Sequence, residues 1–189
     1  MTDHRWLRLS GWGMGLAAAA LLATFLPAAW RFDFPPAVPF LIAILLTTLG
    51  ELGMRVRYGA RAGRAGQASL DIGIAGGVAA TVSGLLWATG FSGRGAMNAS
   101  MAVMFGGLFV FGWVAIRRKP MPRGNVLPLL AGLWWPLIFL VSSVLGLADI
   151  QLDVSFGASL LLFLAMCIPL ALLGYRTQAD VRANPHAAP

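Results

Sequence analysis

Long apolar runs alternate with short breaks of charge, Gly and Pro along nearly the whole chain. Six of them approach the roughly 20 residues a helix needs to cross the hydrocarbon core of a bilayer. They are residues 11–30, 37–54, 70–90, 96–116, 126–147 and 154–175. The pattern predicts an all-α fold, a polytopic transmembrane bundle of six helices that occupies residues 11–175. A short segment, 1–10, precedes it, and a small, polar, disordered tail, 176–189, follows it. The longest expected loop is 55–69, and nothing outside the apolar runs is large enough to fold alone.

Composition supports lipid as the solvent. The 189 residues are 58% hydrophobic and only 11% charged, with a mean hydropathy of +0.77. A soluble domain carries roughly a quarter charged residues, so this chain has too few to clothe a globular surface in water. Arg outnumbers Lys thirteen to one, and Ala and Gly are abundant, a usage that fits a GC-rich bacterial genome.

The charges then orient the helices. Arg5 and Arg8 precede the first run; Arg55, Arg57, Arg61 and Arg64 separate the second from the third. Arg117, Arg118, Lys119 and Arg123 separate the fourth from the fifth, and Arg176 and Arg182 follow the sixth. If six helices cross, all four groups lie on one side, and only Arg31 and Arg94 face the other, with Asp33, Asp149 and Asp153. The positive-inside rule makes the basic side cytoplasmic. Both termini are then expected in the cytoplasm, and the chain in the inner (cytoplasmic) membrane of a bacterium. An alternative takes the first run as a signal peptide cleaved near Ala28 and Ala29. Its length, beyond the roughly 7–15 residues of an h-region, favours retention. The net charge of +7 does not imply nucleic acid, because the basic residues flank apolar runs instead of forming a stripe. The expected partner is the bilayer itself. Anionic lipids are expected at Arg55, Arg57, Arg61, Arg64, Arg117, Arg118 and Lys119, and a second membrane protein is a further candidate partner.

Few polar groups fall inside the apolar runs. Glu51 does, about two turns before the basic end of its run, where a charge costs about 2.5–3.5 kcal/mol at mid-membrane and less off-centre. Arg55, four residues on, is its expected structural partner. Asp71 follows Ser69 at the start of the third run, where Ser69 suits a helix N-cap and Asp71 the positive end of the helix dipole. Because Glu51 ends one helix and Asp71 begins the next, the two acids are also candidates for a paired site that binds a proton or a cation, with Thr47 and Thr48 one turn away. Trp134, Trp135 and Pro136 lie deep in the fifth run, beyond an aromatic belt, and are a candidate pocket. Pro136 and Pro169 are expected to kink their helices. Gly73, Gly77 and Gly84, with Ala80, form a small-residue stripe expected at a helix interface; Gly11 with Gly15, and Ala102 with Gly106, repeat the spacing. Asn98, Ser100, Thr81 and Ser83 are expected to bond between helices.

What is missing narrows the function. His4 and His186 are the only histidines and lie near the termini, and Cys167 stands alone in an apolar run. No residue set suits zinc, haem or a catalytic triad, and there is no phosphate loop or dinucleotide motif. No cofactor is expected, and the reading leans away from an enzyme. The leading expectation is an accessory, assembly or regulatory subunit of a membrane complex. The alternative is a small proton- or cation-linked transporter or channel that uses Glu51 and Asp71, and the lesser one an intramembrane enzyme acting on lipid.

Overall fold

The computed structural model describes residues 4–23, 37–90, 94–147 and 156–183. Among these residues the fold is all-α, with five helices and no strand. They are α1 (His4–Ala23), α2 (Ala37–Ala88), α3 (Arg94–Arg118), α4 (Leu127–Leu147) and α5 (Phe156–Ala183). The outer turns expected from the charge pattern, with Trp30, Arg31, Asp33, Asp149 and Asp153, fall outside the described residues, as does His186 of the tail.

The 52 residues of α2 do not form one straight rod. Gly63 leaves the helical region at φ 73° and ψ −176°, a conformation essentially restricted to glycine. The chain reverses there. Residues 37–62 and 64–88 become two antiparallel arms, and positions nearly equidistant from Gly63 meet: Leu41 with Gly84, Thr48 with Gly77, Glu51 with Gly73, and Arg55 with Asp71. The segment 55–69, expected as a loop, is therefore helical except at this one residue. Its Arg, Ala and Gln are good helix formers, so a single left-handed residue suffices for the turn. A guanidinium nitrogen of Arg118, from the end of α3, lies where a side chain on Gly63 would project. Gly63→Ala is expected to lower the unfolding free energy by about 1–3 kcal/mol, measured as a shift of the denaturation midpoint in detergent. An unchanged midpoint would mean that the reversal does not depend on Gly63.

The helices pack in a closed circuit: α1 on α2, α2 on α3, α3 on α4, α4 on α5, and α5 back on α1. Close approaches at glycine set the tightest crossings. A Cβ on Gly107 of α3 would stand 2.5 Å from the Ser69 carbonyl oxygen and 2.6 Å from Gly73 Cα, so α3 and the second arm touch through backbone. Gly174 of α5 sits equally close to the backbone of Gly11 and Gly15 in α1. The core contains Met14, Met54, Tyr58, Leu70, Met104, Phe105 and Phe111.

Two helices, α2 and α3, are long and apolar enough to cross a membrane. The first arm of α2 has two opposed stripes at helical spacing. Val38, Ile42, Leu45, Leu49 and Leu52 point outward and are exposed, whereas Ile44, Thr47, Glu51, Met54 and Tyr58 point inward and are buried. Between Val38 and Met54 the outside of this arm is thus apolar, and its polar groups Thr47, Thr48 and Glu51 are inside.

Two further departures from expectation concern helix ends. Ser69 is not an N-cap: its helix begins just after Gly63, so Ser69 lies within the arm and donates to the Gly66 carbonyl at 3.0 Å. The segment from 176, expected to be disordered, continues α5 as far as Ala183, with Thr177 and Gln178 buried. Pro136 and Pro169 lie within α4 and α5, each of which runs on past its proline.

Candidate functional site

Glu51 occupies a position on the inward stripe that would otherwise carry an apolar core residue. It is fully buried, and neither carboxyl oxygen has a hydrogen-bond partner among the described residues. One oxygen, Oε2, fills the space that a side chain on Gly73 would occupy. The glycine of the second arm is therefore what makes room for the acid. One turn earlier, Thr48 Oγ1 donates to the Ile44 carbonyl at 2.8 Å and lies 3.7 Å from Met104 Sδ. Thr47 Oγ1 likewise donates to the Ala43 carbonyl at 2.8 Å. Both hydroxyl protons are directed at backbone carbonyls of their own helix, away from the carboxyl.

The paired-acid arrangement expected from the sequence is not formed. Asp71 accepts from Arg55 Nε at 2.7 Å, and the two side chains are 54% and 31% exposed. Arg55 thus serves the acid of the opposite arm and not Glu51, its neighbour four residues away. Antiparallel register explains this, since Arg55 and Asp71 are equally far from the turn and meet at the surface of the hairpin. Glu51 faces inward, and the two acids serve separate places. Among the described residues no three of His, Cys, Asp and Glu come together in a group that could hold a metal ion.

Trp135 lies partly buried between two phenylalanines, with ring centroids 5.9 Å from Phe40 and 6.2 Å from Phe105. Its indole Nε1 donates to the Asn98 carbonyl at 3.4 Å. Trp134 packs on the core as well, and Pro136 stands 3.9 Å from the Cβ position of Gly106. These residues fill space between α4, α3 and the first arm. Gly73, Gly77 and Gly84 face Glu51, Thr48 and Leu41 across the hairpin seam, so their contacts lie within the chain.

A second buried polar group joins the first arm to α5, and sequence reading did not isolate it. Tyr58 Oη donates to Asp180 Oδ2 at 2.9 Å, and Arg57 Nη2 donates to the Asp180 carbonyl oxygen at 2.7 Å. Arg57, read from sequence as a surface residue for anionic lipid, is only 4% exposed. Arg117 by contrast lies over the Trp113 ring at 5.0 Å. The sequence held one clue to this second cluster. Leu170, Leu173, Gly174, Thr177 and Gln178 keep helical spacing past Tyr175, so the inward stripe of α5 does not stop where the apolar run does.

No known protein family, curated protein or solved structure matches the chain.

Proposed function

We propose that the chain is a small proton-linked membrane carrier in which Glu51 is the proton-binding group. The observation that carries this reading is the Glu51 carboxyl itself, wholly enclosed in the bundle with both oxygens unpartnered. A bare carboxylate in such a place costs several kcal/mol unless it is compensated. A proton removes that cost, and its binding and release then make the interior of the bundle sensitive to the proton gradient. Ionisable groups inside membrane bundles mark proton relays and solute paths. A proton suits the site better than a metal cation. Hard cations such as calcium take about six to eight oxygen ligands, and the nearby side chains include Met104 and two threonines already engaged with backbone.

In this reading α1, both arms of α2, α3, α4 and α5 supply six crossings. The turn at Gly63 and the segment after Arg118 face the cytoplasm with both termini, in the inner membrane of a bacterium. The outward apolar stripe of the first arm and the exposed Val103, Val110 and Trp113 of α3 meet lipid. Proton flux into proteoliposomes under an imposed pH gradient tests the function. Flux above the leak of protein-free vesicles that disappears in Glu51→Gln supports it, and equal flux in both proteins contradicts it.

A different observation favours a second reading, an accessory or assembly subunit of a membrane complex. Asp71, Asp180, Tyr58, Thr47 and Thr48 are all engaged in contacts within the chain, which leaves few polar groups for a solute. That reading expects stoichiometric co-purification of a second membrane protein in mild detergent, with no proton flux from the isolated chain.

A further inference from the structure

We propose that the junction of α1, the first arm of α2 and α5 is an anion site that takes a phosphate group, through the guanidinium of Arg57 and the side-chain amide of Gln178. The site is separate from Glu51 and does not depend on proton transport.

The helices converge there by close packing. On the first arm, Gly50 and Gly53 abut Met14 and Ser10 of α1, and Arg57 follows one turn later on the same side. On α5, the backbone nitrogen and Cβ of Gln178 lie 3.1 and 3.2 Å from the Cβ position of Gly11 in α1. The Asp180 carbonyl, two residues further along α5, holds Arg57 Nη2 at 2.7 Å. Arg57 and Gln178 are 4% and 7% exposed. Yet Arg57 Nε, Arg57 Nη1 and Gln178 Nε2 have no hydrogen-bond partner among the described residues.

All three unmet atoms are donors, and two belong to a permanent cation. A buried donor left unmet is costly, and more so when it is charged, so the fold tolerates here what a ligand could repair. That ligand has to bring acceptors and negative charge. The Asp180 carboxylate does not supply them: it accepts from Tyr58, and neither Arg57 Nε nor Arg57 Nη1 bonds to it. A phosphate group offers several acceptor oxygens around one centre, which suits donors arriving from two helices, and Arg is well matched to it. The placement fits as well. Arg57 lies at the end of the bundle where Arg61, Arg64, Arg117 and Arg118 gather, the end expected to meet headgroups. The phosphate can come from a phospholipid headgroup or from solution, and the chemistry of capture is the same.

Native mass spectrometry of the detergent-purified full-length protein, titrated separately with phosphatidylglycerol and with inorganic phosphate at constant ionic strength, tests the proposal. The wild type is expected to bind one equivalent of one of them, phosphatidylglycerol if the source is lipid and inorganic phosphate if it is soluble. Arg57→Lys keeps the charge and one donor for Asp180 but lacks the remaining guanidinium donors. It is expected to bind about tenfold or more weakly, the loss that follows from a charge-assisted hydrogen bond. Gln178→Leu removes an amide nitrogen that bonds nothing in the protein. It is expected to fold at least as well as the wild type and to lose affinity to a similar degree. Arg64→Gln, an exposed basic residue away from the junction, is expected to stay within about twofold, as a single screened surface charge does. Absence of binding to both probes, wild-type affinity in both Arg57→Lys and Gln178→Leu, or equal weakening in all three variants would overturn the proposal.

Discussion

Glu51→Gln is expected to abolish proton flux in proteoliposomes while leaving the protein folded. Gln has nearly the shape of a protonated Glu and is neutral, so it keeps the packing against Gly73 and adds no charge to the interior. It cannot gain or lose a proton in this range. The two roles open to Glu51 diverge most sharply here. If the carboxyl were a structural partner, its replacement would break a hydrogen bond or ion pair and destabilise the bundle. Both of its oxygens are unpartnered, so there is no such contact to break. Glu51→Leu should even stabilise the fold by about 1–3 kcal/mol, the penalty of an unmet buried polar group, with flux again lost. Detergent denaturation and flux measured on the same preparations separate the effects. Dead but stable variants fit a proton-binding group, and destabilised variants with residual flux do not.

Gly107→Leu is expected to disrupt the packing of α3 on the second arm strongly. A Cβ at Gly107 meets the Ser69 carbonyl at 2.5 Å and the Gly73 nitrogen and Cα at 2.6 Å. All of these atoms are backbone, so no rotamer change can yield. α3 and the second arm must move apart, and they carry with them the seam in which Gly73 faces Glu51. Overpacking in a well-packed interior costs about 1–3 kcal/mol and occasionally more; a leucine between two backbones belongs at the upper end. In membranes the effect is compounded, because close backbone approach is itself a main source of helix association. Gly15→Ala is the matched control. It is also a helical glycine, but its Cβ position has nothing within 4 Å. The substitution is expected to be neutral or to stabilise by about 0.5–1 kcal/mol through helix propensity. The denaturation midpoint should fall for Gly107→Leu and hold or rise for Gly15→Ala, and a fall in both or in neither would contradict the assigned crossing.

The contrast between these positions shows what the sequence could convey. The all-α fold was legible because apolar runs of helical length leave little else. The position of the hairpin turn was not, since Gly59, Gly63 and Gly66 all lie in the stretch expected as a loop. Only Gly63 takes the left-handed conformation, while its two neighbours remain helical. Local propensity does not choose among them, and the packing of the arms does. The same register decides the partner of Arg55. Along one helix Glu51 is its natural mate, but across the hairpin Asp71 is, and a bond between arms cannot be read from spacing within one arm. The buried place of Glu51 was half visible, since Ile44, Thr47, Glu51, Met54 and Tyr58 form one stripe and the exposed residues opposite are all apolar. The Tyr58–Asp180 contact joins residues 122 positions apart, a separation over which a single sequence carries no signal.

In the proposed topology the two arms of α2 cross the membrane as an antiparallel pair with the basic turn inside the cell. Cysteine accessibility in intact cells measures this directly, in a background where the buried Cys167 is replaced by Ala. Cysteines at the exposed positions Arg64, Thr89 and Arg123 are to be treated with a membrane-impermeant thiol reagent before and after lysis. In that topology Thr89→Cys is expected to react in intact cells, and Arg64→Cys and Arg123→Cys only after lysis. Labelling of positions 64 and 123 from opposite faces, or of 64 and 89 from the same face, would contradict it.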